Sequence, residues 1–149
     1  METDRITAIE DRLAIRELRN RYCHYIDSEQ WAMAADMFVE DGEFEGIEVA
    51  RGRAAIEDWF SRSVPETFTK AWHMCTNATT FLDGSRATGT TAFTFYCIDN
   101  GVAKFALGHY EDTLEKHDDR WLFRKRKVHF DLFVDWKEGF GAAIPAPAE

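Results

Sequence analysis

KAWHMCTNATTF, residues 70–81, is where the chain stops reading as helix and begins to read as sheet. Trp72, Met74, Phe81 and several threonines, with no glycine or proline, predict a strand. Alternation along it places His73, Cys75, Asn77 and Thr79 on one face, and Trp72, Met74 and Thr76 on the other. The first face is small and polar, as a cavity lining should be. The second is large and apolar, suited to packing under helices or between subunits. His73 then has two readings: a structural histidine with both ring nitrogens bonded, or a general base at the bottom of a pocket.

Toward the C-terminus, four long β-branched or aromatic runs follow one another at 68–82, 86–98, 102–115 and 120–135. Their separators, DGS (83–85), DNG (99–101) and KHDD (116–119), are turn sequences, and Asp-Gly and Asn-Gly favour tight hairpins. Toward the N-terminus the pattern is helical. Ile9, Leu13, Leu18, Tyr22, Tyr25 and Ile26 recur near helical spacing across 4–27. WAMAADMF (31–38) and RAAIEDWFSRS (53–63) predict two shorter helices, the second ended by Pro65. Between them lie a turn at Asp41-Gly42 and short strands in EFEGIEV.

Helices first and a meander afterwards predict an α+β fold, with N-terminal helices packed on a strongly curved antiparallel or mixed sheet. Such a cone-shaped α+β barrel encloses a pocket for a small apolar ligand. One domain is expected over 1–136, with a tail at 137–149 that is loose or docked on a neighbouring subunit.

The 149 residues are 45% apolar and include 12 Phe and 5 Trp, enough for an aromatic core. A net charge of -9 argues against nucleic acid as a partner. RKRK (124–127) is too short to offset it, and a strand would split it between two faces. No apolar run reaches the roughly 18 residues of a membrane span. The charged start METDRITAIEDR lacks a signal-peptide stretch, which predicts a cytoplasmic protein. Cys23, Cys75 and Cys97 are odd in number, widely spaced and set among apolar residues. They read as reduced core thiols, outside any zinc or disulfide pattern.

In the last run, Leu122, Arg124, Arg126, Val128, Phe130 and Leu132 share one face, opposite Lys125, Lys127, His129 and Asp131. Arg126 thus stands on an apolar face, where an unpaired charge is costly. It must pair with a carboxylate or meet an anionic or leaving group. Tyr22 and Tyr25 are either aromatic core or proton donors to a ligand carbonyl. His129 and Asp131 have same-face spacing for a metal but no third ligand. Glycine-rich phosphate loops, nucleophile elbows and HExxH patterns are absent, and no cofactor is expected.

The segments DRLAIRELRNRYCHYIDSEQWAMAADMFVEDGEF (11–44), RGRAAIEDWF (51–60), HMCTN (73–77) and YEDTLEKHDDRWLFRKRKV (110–128) carry a resemblance. In this order the chain resembles the SnoaL-like branch of the nuclear-transport-factor-two-like, cystatin-like superfamily. Within it, scytalone dehydratase and hexachlorocyclohexane dehydrochlorinase are the enzymes it resembles best. The resemblance implies a cofactor-free eliminating enzyme with catalytic His73 and Asp27, and Arg126 beside a leaving group. It sets Tyr22 and Cys97 at further pocket positions, while Ile26 and Gly46 stand where scytalone dehydratase has tyrosines. An imidazole base oriented by a carboxylate suits proton abstraction from carbon.

The expected function is therefore a dehydratase-type lyase acting on a small, apolar, cyclic substrate, held by Tyr22, Tyr25, Asn77, Cys97 and Arg126. Isomerase or polyketide-cyclase chemistry uses the same base, and a non-catalytic binding or assembly module uses the same cone. A homodimer or homotrimer is expected, because the strands of 86–135 offer more apolar positions than three helices can cover.

Overall fold

Helix α1 (Glu2–Asp27) is 26 residues long, and its buried stripe is set by steps of three and four residues. Asp11, Ile15, Leu18, Tyr22 and Ile26 form that stripe, with Arg19 and Cys23 beside it. Ile9 and Leu13, expected on the same face, are exposed instead. After α1 come α2 (Trp31–Ala35), β1 (Phe38–Glu45), β2 (Val49–Arg51) and α3 (Arg53–Thr67). The strands β3 (Lys70–Thr76), β4 (Phe81–Asp83), β5 (Arg86–Asp99), β6 (Val102–His117) and β7 (Arg120–Asp135) complete the chain. This computed structural model describes residues 2–139. The proposed tail falls mostly on 140–149, outside the described residues. Trp136, at the expected domain edge, packs on the rings of Tyr96 and Phe105.

The sheet order is β2-β1-β7-β6-β5-β3, with β4 on β5. β1 runs parallel to β7 and every other pairing is antiparallel, so the curved sheet is mixed. The fold is the expected α+β arrangement, with N-terminal helices laid across the sheet. Its core is aromatic: the Tyr22 ring meets those of Phe38, Phe60, Tyr110 and Phe123 at centroid distances of 5.9–6.5 Å.

At the centre sits one carboxylate between two guanidiniums. Arg126 donates Nε–H to Asp112 Oδ1 at 2.8 Å and Nη2–H to Oδ2 at 3.0 Å. Arg19 donates Nε–H to Oδ2 at 2.9 Å. The side chains of Asp112 and Arg126 are fully buried and that of Arg19 is 2% exposed. Asp112 and Arg126 face each other across β6 and β7, so the cluster fastens α1 to both strands. The Arg126 guanidinium also lies 4.1–4.4 Å from the ring centroids of Tyr22, Tyr110 and Phe123. Those ring faces offset part of its lost hydration.

Several boundaries differ from the sequence reading, each for a local reason. The run expected at 68–82 breaks after Thr76, where Asn77 takes a left-handed φ of 49°. Arg19 Nη1–H donates to the Thr79 carbonyl and to Thr80 Oγ1, drawing this loop onto the helix. Gly89 permits the approach, because a Cβ there would come within 2.1 Å of the Thr79 carbonyl oxygen. Pro65 lies inside α3 rather than ending it. In the last turn its missing N–H forfeits only the bond to the residue 61 carbonyl. Asp41-Gly42 is an irregularity within β1, not a turn, as the register against β7 shifts between Phe38 and Glu43. In β7, bulges against β6 put Arg124 and Leu132 off the face expected for them. Arg124 instead pairs with Asp41 at the surface.

Removing the central anion leaves two buried cations facing each other. Asp112→Asn is expected to cost about 3–5 kcal/mol of stability, read as a fall in the urea unfolding midpoint. A cost below about 1 kcal/mol would show that the guanidiniums do not depend on it.

Candidate active site

Asp27 closes α1 and His73 sits mid-strand in β3, and the helix crosses the sheet so that the two meet. His73 Nδ1 lies 2.6 Å from Asp27 Oδ1, and the backbone N–H of His73 donates to Asp27 Oδ2 at 2.8 Å. The carboxylate therefore holds both the strand and the ring. A carboxylate on Nδ1 places the proton there and leaves Nε2 with its lone pair free. Among the described residues Nε2 has no hydrogen-bond partner. Phe95, across the strand pair, packs its ring 4.6 Å from the imidazole and limits its rotation.

His73 lines a cavity of about 90 Å3 between α1, α3 and the concave sheet face. The walls are nearly all apolar, with Phe44, Trp59, Phe60, Phe93, Phe95 and Phe130 prominent. Ile47, in the β1–β2 turn, and Val64, near the end of α3, also border it, and Ile47 is exposed. The mouth thus lies between that turn and that helix end. Apart from His73, the side chains of the lining with a polar handle are Tyr22, Tyr110 and Trp59. Burial pushes both phenols above their ordinary value, so they stay protonated and keep an O–H to donate. Neither hydroxyl is hydrogen-bonded within the described residues.

The residues proposed from sequence separate into groups. His73 and Asp27 meet, and Tyr22 stands in the same cavity. Tyr25 turns away, lining a separate groove with Met33 and Met37 beside α2. Asn77 lies beyond the end of β3, on a different groove with Arg16 and Asn20. Cys97 is buried in β5 opposite Ala71 and outside the cavity lining, and burial pushes its thiol up to about 11. Arg126 is the most enclosed. Burial alone would lower its guanidinium, but the charge and hydrogen bonds of Asp112 outweigh that and hold it raised. Its Nη1 has no partner.

Asp112, Tyr110 and Arg19 were not singled out from the sequence. Inward parity with Tyr110 and Leu114 marks Asp112 as the carboxylate that Arg126 required. His129 and Asp131 do not combine on a metal: His129 pairs with Glu111, Asp131 with His109. No group of three potential metal ligands occurs among the described residues. No described helix is long and apolar enough to cross a membrane.

A SnoaL-like domain model matches residues 7–127. The chain belongs to the SnoaL-like family. Among solved structures similar to this member, the hexachlorocyclohexane dehydrochlorinase LinA-type3 from Novosphingobium barchaimii is 20% identical, with a TM-score of 0.81. That match covers 99% of this chain and 100% of the other. Rv3472 of Mycobacterium tuberculosis, of unknown function, is 29% identical over 86% of this chain and 76% of its own, at a TM-score of 0.77. An NTF2-like protein with a cystatin-like fold from Novosphingobium aromaticivorans is 26% identical, covering 95% and 91%, at 0.75. No curated protein matches the sequence.

Proposed function

We propose that this SnoaL-like protein is a cofactor-independent lyase of the dehydratase type. Its substrate is a small, largely apolar, cyclic molecule from which water or a similar group is eliminated. The observation that carries the reading is the His73–Asp27 contact at 2.6 Å, on the wall of an otherwise apolar cavity. His73 Nε2 takes a proton from substrate carbon. Asp27 holds the tautomer and stabilises the imidazolium that forms. Tyr22 and Tyr110, kept protonated, donate to the oxygen on which negative charge develops. The reaction needs no cofactor, since every step is a proton transfer or the loss of the leaving group. A purely assembling module has no use for an oriented base in an apolar pocket.

One observation favours a second reading. Arg126 is committed to Asp112 and the surrounding rings, so it is not proposed to assist a leaving anion. Chemistry that needs only a base and an enolate stabiliser, isomerisation or cyclisation, is therefore the alternative. A panel of cyclic β-hydroxy ketones in D2O separates the two. Elimination releases water and gives the enone, whereas the alternative exchanges or moves the α-hydrogen without loss.

In either case His73→Ala should lower the rate by about two to four orders of magnitude, and Asp27→Asn should do comparable damage through the wrong tautomer. His73→Ala should change the melting temperature little. If it instead unfolds the protein while α-hydrogen exchange persists in what remains folded, His73 is structural.

The protein is further proposed to form a homodimer or homotrimer built on the outer sheet face. Trp72 and Met74 point away from the helices and are 43% and 53% exposed, and Trp136 is 59% exposed. Apolar groups so placed favour a covering partner, and a second copy of the same face is the simplest one. Light scattering at micromolar concentration should give a mass of two or three chains. A single-chain mass would contradict it.

A further inference from the structure

Cys23, on α1, and Cys75, on β3, bring their Sγ atoms to 3.2 Å. All three cysteines are free thiols, and Cys97 makes no thiol contact. The two in contact are not equivalent. Cys23 is buried, whereas Cys75 is half-buried and lines a groove of about 220 Å3 with Arg16, Arg19, Asn77 and Thr91. A small polar molecule entering that groove meets Cys75 first.

The charges nearby favour a thiolate at that position. Arg19 and Arg126 share one carboxylate, Asp112, so the cluster carries one uncompensated positive charge. Arg19 Nη2 and Arg126 Nη1 are buried N–H groups without a partner. The hydrogen bond from Cys23 holds the Cys75 thiol below its ordinary value, with Arg126 and Arg19 helping and burial and the Asp112 charge opposing. The same bond and burial push Cys23 up. A half-buried, acidified thiol at a groove, touching a buried, protonated one, is the arrangement of an attacking and a resolving cysteine.

We propose that Cys75 is a hydroperoxide-reactive thiol and that Cys23 resolves it to an intramolecular disulfide joining α1 to β3. In the first step Cys75 sulfur attacks one peroxide oxygen. The O–O bond breaks, the sulfur is oxidised to sulfenic acid, and the other oxygen leaves as water with the thiol proton. In the second, Cys23 sulfur attacks Cys75 sulfur, the S–O bond breaks, and the sulfenic oxygen leaves as water with the Cys23 proton. Two thiols supply the two electrons that reduce hydrogen peroxide to two waters. Closing the sulfurs from 3.2 Å to bonding distance, about 2.05 Å, asks for little more than a side-chain adjustment. The bond would tie the turn preceding Asp27 to the strand position two residues past His73. It forms whether or not His73 is a catalytic base.

The test uses the full chain, reduced, desalted and exposed to hydrogen peroxide, then alkylated in denaturant and digested without reductant. The expected result is loss of two of the three thiols, a linked Cys23–Cys75 peptide and an alkylated Cys97. The melting temperature should rise by several degrees and return with dithiothreitol. Cys23→Ala should stop at a Cys75 sulfenic acid captured by dimedone, while Cys97→Ala should oxidise like the parent. Should the Cys23 variant fail to fold, the peptide map of the parent chain decides alone. An unmodified Cys75, bridges between molecules, or oxidation of Cys97 at an equal rate would overturn the proposal.

Discussion

Asp112 accepts three hydrogen bonds from two guanidiniums, and much of the molecule is positioned by what those guanidiniums also touch. Arg19 brings α1 to the carboxylate and carries the loop of Thr79 and Thr80 with it. Arg126 brings β7, and the rings of Tyr22, Tyr110 and Phe123 close around it. Desolvating three charged groups is expensive, and only near-complete satisfaction makes it tolerable. The cluster therefore admits one helix placement on the sheet. That placement delivers Asp27, two turns further along α1, to His73.

Two polar systems thus share one apolar interior with different consequences. The Arg–Asp cluster is buried, its members bound chiefly to one another, to ring faces and to the Thr79–Thr80 loop. The His73–Asp27 pair is anchored on one side only, with the second ring nitrogen left toward the cavity. Burial keeps Tyr22 and Tyr110 protonated, so the proposed base and the proposed proton donors are separate groups. The same seam of α1 and β3 holds the Cys23–Cys75 contact one turn before Asp27. Helix placement is accordingly common to core stability, to the proposed chemistry and to the proposed oxidation.

Period-two alternation made the inward face of β3 legible, and with it His73, because nothing interrupts that strand before Thr76. The placement of Asp27 came through family resemblance, since no local pattern tells which way a helix end points. Arg126 could be read as needing a carboxylate, yet its partner lay 14 residues away on another strand, where parity gives the face of Asp112 but not the register that pairs the two. Where alternation failed, an inserted residue was the cause: bulges in β7 displaced Arg124 and Leu132. Asn77 was lost to the site because a long-range hydrogen bond from Arg19 bends the chain at its C-terminal side. Tyr25 lies only three residues from Tyr22, but α2 occupies the direction it faces.

The proposed base depends on which nitrogen of His73 carries its proton. Nitrogen-15 NMR of the histidine side chains at neutral pH reads this without any substrate. The predicted result is a neutral His73 ring protonated at Nδ1, with a strongly deshielded proton shared with Asp27 that vanishes in Asp27→Asn, and an unprotonated Nε2. A His73 protonated at Nε2, or one whose ring shifts ignore Asp27→Asn, would contradict the proposed base.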